Sequence, residues 1–388
     1  MKKIIIVNNN MQVGGVQKSL SNLLWAIHDR YDVTLYLFRC RGSYMDSIPE
    51  NVKVRECNGP FRYLGMSQGQ CRGMDKLKRG FCALLSRVLG RRFALKLLML
   101  GQKPVEDAYD CAIAFLQNGN PRNFYGGVQD FVLSRVKATR KIAFLHCDYR
   151  NCGANHPANN RLIAEFDRIA ACSDGCKQAF SAVLPNLEEK TETVRNFHCY
   201  DRICDLAAQD AVTYDPAVRN IVMVSRLAHE KGIQRAIAAV AKAAEQKIPV
   251  MLHIVGGGPM EEFLKQTAAE LGISKWVRFY GEQSNPYRYM KNADLFLMSS
   301  FHEAAPMVID EALCLGVPVL TVETTSSHDM VTERNAGWVC PNTQEDLTRM
   351  LIQVLSAPET LAAVRMDLQG RYQTNDVAEK QFEELIEG

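Results

Sequence analysis

A chain of 388 residues is too long for one ordinary hydrophobic core, and its length predicts two domains. With 47% hydrophobic and 23% charged residues, its composition excludes disordered and fibrous proteins. The net charge of only +3 argues against a dedicated nucleic-acid binder, so we expect no nucleic-acid partner.

The first ten residues, MKKIIIVNNN, contain an apolar run that is too short for a signal peptide or a membrane span. This run therefore predicts a first strand. The thirteen cysteines, in a chain without an export signal, are expected to be reduced thiols that pack as small hydrophobes. Neighbouring pairs such as Cys172 and Cys176 lack the CxxC spacing of zinc sites. We expect a cytoplasmic protein with no bound metal.

Short apolar runs alternate with helical stretches through the amino-terminal half, which predicts parallel βαβ units. The runs are IIIVN, DVTLYLF, VKVREC, CAIAFL, KIAFLH and RIAACS. Ligands of such sheets bind beyond the carboxyl ends of the strands. Gly14 and Gly15 follow the first strand, where glycines let a backbone approach a ligand and the next helix start favours anions. His146 and Asp148 lie at the end of the fifth run, where His146 is placed to hydrogen-bond a ligand.

Residues 72–103 set nine lysines and arginines among leucines, with Asp75 as the only acidic residue. This pattern predicts an amphipathic basic helix, which suits an anionic membrane surface because each basic side chain near the lipid contributes about 1 kcal/mol. The alternative is a helix that packs its apolar stripe on the sheet and turns its basic face to water. The sequence leaves both interpretations open.

Residues 207–220 show no clear apolar period and predict a linker, after which a second Rossmann-like unit begins. Its first strand is followed by a loop with Arg226 and Lys231 and by a helix that starts near Gly232. Two cations at a strand end are costly unless they meet an anion, and arginine suits bidentate contact with phosphate. The alternative is that both are ordinary surface charges. Gly256 and Gly258 follow the next strand, but the third glycine of a dinucleotide-binding fingerprint is missing.

Residues 295–320 predict a strand, a loop, a helix and another strand. Pro306 suits the first turn of the helix. The backbone N–H groups within residues 304–308 and the positive end of the helix dipole predict an anion site. Glu303 before the helix and Glu311 within it are acceptors suited to sugar hydroxyls. The alternative is that Glu303 caps the helix and Glu311 is a solvated helix residue. Further on, 343–355 and 359–387 are helical by their apolar period.

The order of two motifs, S-R-x-x-x-x-K-G at 225–232 and E-x7-E at 303–311, resembles that of retaining glycosyltransferases of family four. This resemblance implies an α/β protein with the GT-B fold, in which two facing Rossmann-like domains with parallel sheets enclose an interdomain cleft. It also implies an acceptor-binding domain over 1–206, a linker over 207–218 and a nucleotide-sugar-binding domain over 219–369. A last helix within 370–388 would cross back to the first domain.

The resemblance also implies roles for individual residues. Arg226 and Lys231 would hold the leaving diphosphate, Glu303 the transferred sugar, and Glu311 the donor ribose. His146 would lie near the sugar or acceptor. The remaining donor contacts would come from Gly14, Gly15, Gly257, Ala304, Ala305, Pro306, Met307 and Val308.

Three positions depart from the family pattern. Ala304-Ala305 replaces a Gly-Phe pair, Phe197 replaces a glycine after Asn196, and Phe144 stands where a tryptophan is usual before the histidine. The first change puts a methyl group where the backbone and the sugar come close.

The implied reaction is metal-independent transfer of a sugar, with retention, from a nucleotide diphosphate sugar to a hydroxyl group. The donor would be a UDP- or GDP-sugar, no separate cofactor is expected, and the acceptor would be a glycan or a lipid-linked molecule in cell-surface polysaccharide or glycolipid synthesis. Residues 281–287 would border the base. Attachment to the inner face of the membrane through residues 72–103 is one expectation. The alternative function is a nucleotide-sugar-binding or regulatory protein with little turnover.

Overall fold

The computed structural model describes residues 1–66, 71, 73–121 and 123–388, with only the backbone of residue 92. The described residues form two compact units, the first made of Met1–Phe197 and Asn375–Gly388 and the second of His198–Thr374. The units divide after residues 197 and 374, whereas the sequence predicts functional domain boundaries after residues 206, 218 and 369. Those functional boundaries stay a prediction.

Thirteen strands lie within the described ranges. In chain order they are β1 (Lys3–Asn8), β2 (Asp32–Leu37), β3 (Lys53–Glu56), β4 (Ala108–Ala114), β5 (Lys137–Leu145), β6 (Arg168–Ala171), β7 (Thr191–Thr193), β8 (Arg219–Val224), β9 (Val250–Val255), β10 (Val277–Phe279), β11 (Leu295–Met298), β12 (Val319–Val322) and β13 (Gly337–Cys340).

The same ranges contain fourteen α-helices. They are α1 (Gly15–Ile27), α2 (Gly73–Leu89), α3 (Arg91–Leu100), α4 (Val128–Arg135), α5 (Pro157–Ile163), α6 (Asp174–Val183), α7 (Tyr200–Ala208), α8 (Ile233–Glu245), α9 (Glu261–Glu270), α10 (Tyr287–Met290), α11 (Met307–Cys314), α12 (Gln344–Leu355), α13 (Pro358–Gln369) and α14 (Asp376–Glu387).

Each unit is built on one parallel sheet. The first sheet has the order β3-β2-β1-β4-β5-β6-β7, and the second has the order β10-β9-β8-β11-β12-β13. All the recorded strand pairs are parallel. The order reverses between β1 and β4 in the first sheet and between β8 and β11 in the second. These are the switch points beyond which α/β sheets bind ligands.

The central strands of both sheets are buried on both faces, as is usual for parallel sheets, whereas the edge strand β3 is exposed. In β1, Ile4 and Ile6 join one apolar cluster and Ile5 and Val7 join another, because successive side chains point to opposite faces. The final helix α14 belongs to the first unit, where Phe382, together with Leu385 and Ile386, is buried in the cluster that contains Ile4.

The structure corrects several details of the predicted elements. The basic stretch forms two helices instead of one, because Gly90 breaks it with a φ of 80°. Pro306 lies one residue before α11, in extended conformation, and not in its first turn. The predicted helix over 359–387 is divided into α13 and α14, and the short edge strands β7 and β13 were not predicted.

Candidate active site

The switch point of the second sheet brings together two loops that are distant in sequence. Residues 225–232 follow β8, residues 299–306 follow β11, and the two strands are neighbours. The backbone N–H of Phe301 donates to the carbonyl oxygen of Glu230 at 2.9 Å, and Ser299 Oγ donates to the carbonyl oxygen of Gly232 at 2.9 Å. The loop that carries Arg226 and Lys231 is therefore fastened to the loop that carries Glu303.

Two glycines permit this close approach. Gly232 has a φ of 59°, and a Cβ there would lie 2.3 Å from the carbonyl oxygen of Ser299. Gly256, after β9, has a φ of 140°, and a Cβ there would lie 1.9 Å from the carbonyl oxygen of Ser225. Only glycine adopts such backbone conformations without strain and leaves room for the neighbouring chain. At Gly257, by contrast, the atoms nearest to an added Cβ would belong to Glu282, with the Cβ of Glu282 at 3.4 Å and its backbone N at 3.6 Å.

Lys231 and Glu303 form an ion pair at the centre of the site. The Lys231 Nζ lies 2.6 Å from Glu303 Oε1, and the two side chains are 25% and 13% exposed. Pro306 holds the cap position of α11 and the Glu303 carboxylate pairs with Lys231, so Glu303 is not the helix cap. The structure places a cation expected to contact phosphate directly beside a carboxylate expected to contact a sugar.

Arg226 is paired differently. Its guanidinium contacts the carboxylate of Glu230 in the same loop, and both side chains are largely exposed, at 68% and 45%. A hydrogen bond from its own backbone N–H, together with Arg226, holds the pKa of Glu230 below its ordinary value. Glu230 was not predicted from the sequence, although its i,i+4 spacing from Arg226 is a visible signal for such a pair.

The start of α11 is built as an enclosed turn. Pro306 and Met307 are buried, while Ala304, Ala305 and Val308 are partly exposed. Ser326 Oγ donates to the carbonyl oxygen of Ala304. Pro306 has no N–H, so the remaining N–H groups of 304–308 are the candidate anion donors of this turn.

Glu311 lies inside the second unit and is only 1% exposed. The alternative that it is a solvated helix residue is therefore wrong. Next to it, Asp310 contacts His198 Nε2 at 3.3 Å and also pairs with Arg334. Burial raises the pKa of Asp310, but these two partners outweigh burial and hold it well below its usual range. This network was not predicted from the sequence; it holds the first turn of α11 in place and so positions Glu311.

An open pocket of about 560 Å³ adjoins these loops and is lined by His229, Glu230, Phe301, His302 and Asn342. Asn342 donates to the carbonyl oxygen of Phe301 at 3.2 Å, and the ring of His229 stacks on that of Phe301 at 5.5 Å. The pocket therefore has one ordered aromatic wall beside Glu303. A second pocket, between α8 and α12, is lined by none of the predicted site residues.

The predicted site residues of the first unit follow β1 and β5, which lie on either side of β4 in the sheet. Gly14 has an extended φ of 172°, and a Cβ there would meet only the side chain of Gln17. An added Cβ at Gly15 would meet no atom within 4 Å. Neither glycine is therefore required by the backbone conformation or by packing. Open space at Gly15 is compatible with close approach of a ligand.

His146 follows β5 and packs against two aromatic rings, with ring centroids 4.6 Å from Phe115 and 5.8 Å from Phe144. Its backbone N–H donates to Gln117 Oε1 at 3.1 Å. Burial lowers the pKa of His146 to about 4, so the imidazole is neutral at physiological pH. Its Nε2 is buried and has no hydrogen-bond partner among the residues that the structure describes.

Other polar residues of the first unit serve its own structure. Asp148 accepts hydrogen bonds from the side chains of Arg150 and Asn151 at 2.9–3.2 Å, so it stabilises a local turn. Three asparagines that were not singled out from the sequence are buried at the end of β1 and directly after it: Asn8, Asn9 and Asn10. A polar run directly after a buried strand was the signal that could have found them.

The described parts of the chain contain neither a candidate metal site nor a helix able to span a membrane. No group of three or more His, Cys, Asp or Glu side chains is placed there to hold a metal ion. None of the described helices combines the length and the apolar composition needed to cross a bilayer.

Comparison with known proteins identifies relatives of the second unit. Residues 215–368 match the family model for glycosyl transferases group 1. The lipopolysaccharide glucosyltransferase WaaG of Escherichia coli K12 is 32% identical over 129 residues, which are 32% of this chain and 34% of WaaG. The amylovoran biosynthesis glycosyltransferase AmsK of Erwinia amylovora is 26% identical over 179 residues, which are 43% of this chain and 44% of AmsK. The chain thus spans less than half the length of these two curated relatives.

A solved structure extends the likeness to the whole chain. The crystal structure of Anabaena Alr3699/HepE in complex with UDP and glucose has a TM-score of 0.66 and 20% sequence identity, and the match covers 98% of this chain and 96% of that one. At this identity the likeness shows the fold. The chain therefore has the GT-B fold, and its segment 215–368 is similar to the glycosyl transferases group 1.

Proposed function

We propose that this protein is a retaining, metal-independent glycosyltransferase that moves a sugar from a nucleotide diphosphate sugar to a hydroxyl group. One observation carries the proposal: the second switch point brings the cationic loop of Arg226 and Lys231 against Glu303, within 2.6 Å at the Lys231–Glu303 pair. This arrangement lies inside the segment that matches the family model.

The proposed roles follow from the charge that appears during transfer. When the bond between the sugar C1 and the diphosphate oxygen breaks, negative charge grows on the leaving oxygens, and fixed cations there stabilise the transition state. Arg226 and Lys231 supply those cations. Glu303 accepts hydrogen bonds from hydroxyls of the transferred sugar, and the buried Glu311 accepts from the donor ribose. Carboxylates are acceptor-only groups, which suits both tasks.

The acceptor hydroxyl attacks C1 on the face that the diphosphate leaves, and its proton passes to a leaving phosphate oxygen. The new C1–O bond then has the configuration of the broken one. His146 is proposed to donate a hydrogen bond to the sugar or acceptor. The neutral imidazole and its unpartnered Nε2 support this role.

The names of the relatives support a donor and an acceptor class. HepE was crystallised with UDP and glucose, and WaaG is a lipopolysaccharide glucosyltransferase. AmsK is an amylovoran biosynthesis glycosyltransferase. We therefore propose a UDP-hexose as the first donor to test, with a GDP-sugar as the alternative, and a cell-surface polysaccharide or glycolipid precursor as the acceptor.

The first experiment is a thermal-shift screen with UDP, GDP, ADP and the corresponding sugars, followed by a transfer assay with the stabilising donor. A ligand present at 100 times its Kd stabilises the folded protein by about 2.7 kcal/mol, which such a screen resolves. Stabilisation by one nucleotide sugar together with turnover supports the proposal. Stabilisation without hydrolysis or transfer on any glycan or lipid acceptor would instead favour a nucleotide-sugar-binding protein.

The assay also tests the proposed source of positive charge. Because side-chain cations stabilise the leaving group, transfer is expected to continue in EDTA. Loss of turnover in EDTA, with recovery on adding a divalent ion, would assign the leaving-group role to a metal.

A further inference from the structure

The outer surface of α2 carries a continuous apolar stripe. Met74, Leu77, Phe81, Leu84 and Val88 are each 58–71% exposed. Their spacing of three and four residues places them on one side of the helix. Phe93, Leu97 and Leu100 extend the exposed apolar surface along α3. Large apolar side chains are normally scattered singly over a protein surface, but nine of the nineteen that are exposed in the described chain lie between residues 74 and 100.

The opposite side of α2 faces the core. Arg79 is buried and donates to the carbonyl oxygens of Met66 and Phe124, at 2.8 and 3.1 Å. Cys82 and Ala83 pack against the apolar core, and Ser86 is buried. At about 100° per residue, these core-facing positions lie half a turn away from the centre of the stripe. The stripe is therefore a second apolar surface in addition to the one that packs the helix on the sheet.

Positive charge flanks the stripe on both sides. Lys76 and Arg87 lie along one edge and Lys78 along the other, and all three are exposed. Lys96 and Lys103 add two more exposed cations. The only acidic residue between 73 and 103 is Asp75, which is held by Arg62 at 2.7 Å. This surface attracts anions as well as apolar groups.

Not all the arginines within residues 72–103 are available to a ligand. Arg79 and Arg91 are buried, and burial lowers the pKa of Arg91. Arg72 and the side chain of Arg92 lie outside the described residues. Among the described side chains, Lys76, Lys78, Arg87, Lys96 and Lys103 are the exposed cations that can attract an anion, and the apolar stripe adds to the affinity.

We infer that α2 and α3 dock this protein on an anionic lipid bilayer, with the stripe inserted among the headgroups and its flanking lysines and Arg87 against lipid phosphates. Charge complementarity selects this partner. If two copies of the protein docked through this surface, the cationic edges of the two stripes would lie against each other. Such contacts between like charges are unfavourable. The inference does not rest on the proposed transfer activity.

The test is co-sedimentation of the full chain with phosphatidylcholine vesicles that either contain or lack roughly 30% phosphatidylglycerol, a content within the anionic range to which basic segments bind. Wild type is expected to bind only the anionic vesicles and to be released by salt, because surface charges are screened over about 10 Å at 0.1 M. The variant Lys76→Gln/Lys78→Gln should weaken partition about 30-fold, at about fivefold for each basic residue.

A second variant separates apolar insertion from charge. Leu77→Gln/Phe81→Gln/Leu84→Gln keeps every cation, and because these side chains are exposed it should melt as wild type does. It should bind at least tenfold more weakly, since the stripe no longer enters the headgroup region. Phe263→Gln/Leu271→Gln is the matched control, because both residues are exposed apolar side chains of the second unit. This control should bind as wild type does.

Three results would overturn the inference. The first is wild-type protein that sediments with neither vesicle, and the second is a stripe variant that binds as tightly as wild type. The third is concentration-dependent dimerisation that the stripe variant abolishes, in the absence of vesicle binding, which would assign the surface to a second copy. A Phe81→Trp variant adds an independent measurement: a blue shift of its emission on anionic vesicles supports insertion, and unchanged emission contradicts it.

Discussion

The ion pair between Lys231 and Glu303 leads to a double-mutant prediction. If Lys231 stabilises the leaving diphosphate, Lys231→Met should lower kcat by about 10²–10³, as removal of one oxyanion donor does. Glu303→Gln should also lower transfer, because the amide keeps the shape but loses the charge that orients Lys231. We expect the double variant to lose less than the product of the two single losses.

The burial of the two side chains determines the expected interaction energy between the two substitutions. Exposed ion pairs contribute up to about 1 kcal/mol, whereas breaking a buried pair costs about 3–5 kcal/mol. With side chains 25% and 13% exposed, Lys231 and Glu303 lie between these limits. We therefore expect a coupling of about 1–2 kcal/mol, which makes the double variant roughly 5–30 times more active than the product of the single losses predicts.

The assay is initial-rate transfer from the donor found by thermal shift, with thermal unfolding recorded for each variant. Lys242→Met is the matched control: Lys242 pairs with Glu245 on α8, and both side chains are about 60% exposed. This control should keep wild-type activity and stability. Transfer by Lys231→Met within a few-fold of wild type would remove Lys231 from the mechanism. A double-variant loss that equals the product would show that the pair is not maintained in the transition state.

Three other predictions concern neighbouring features. Arg226→Ala should lower kcat by about 10²–10³. Glu230→Gln removes only the exposed partner of Arg226 and should keep the transfer rate within a few-fold of wild type. Equal losses in the two variants would mean that Glu230 has its own role in transfer. Gly256→Ala should destabilise the second unit by about 2–5 kcal/mol in urea unfolding, because it combines positive-φ strain with a clash against backbone. Gly257→Ala is its control and should change stability by less than about 1 kcal/mol, so equal effects would contradict the geometry. In the wild type, His146 has a pKa of about 4 in the folded state and about 6.5 in the unfolded state, so between pH 7 and pH 5 only the unfolded state gains a proton. The free energy of unfolding of the wild type should therefore fall by roughly 2 kcal/mol over this range. The variant His146→Gln should not show this loss. Unfolding curves of wild type and variant that shift equally with pH would refute this assignment.

Sequence alone predicts the central strands well because they are buried on both faces and form continuous apolar runs. In the first unit, β1, β2 and β4 to β6 coincide with such runs, whereas β3 was predicted although its four residues are exposed at the sheet edge. The missed strands, β7 and β13, are three and four residues long and lie at the edges of their sheets. Thr191–Thr193 pairs with one neighbour only and contains no apolar side chain. Its strand conformation comes from the tertiary pairing rather than from a local pattern.

The site was predictable in its parts but not in its pairings. Arg226, Lys231 and Glu303 each stand at the end of a predicted strand, which a linear pattern can reveal. The contact between Lys231 and Glu303 joins residues 72 positions apart and depends on the strand order, which places β8 beside β11. Which arginines of residues 72–103 turn inward depends likewise on the rotation of α2 and α3 against the core. The burial of Arg79 and Arg91 is therefore set by tertiary packing and cannot be read from the local sequence.

The two ion pairs of the candidate site differ in how easily they can exchange a carboxylate for a phosphate. Arg226 and Glu230 are largely exposed, so separating them costs at most about 1 kcal/mol, and Arg226 can turn to an incoming anion. Lys231 and Glu303 are held between two fastened loops and are mostly shielded from water, so separating them costs more. Under the proposed function, Arg226 would exchange Glu230 for the diphosphate as the donor binds. Lys231 would keep Glu303 and use its remaining N–H donors for the leaving oxygen, because an ammonium group has three donors and Glu303 Oε1 occupies one. The Lys231 side chain would then contact the leaving phosphate and the sugar-binding carboxylate of Glu303 at the same time, at the point where the bond between the sugar and the diphosphate breaks.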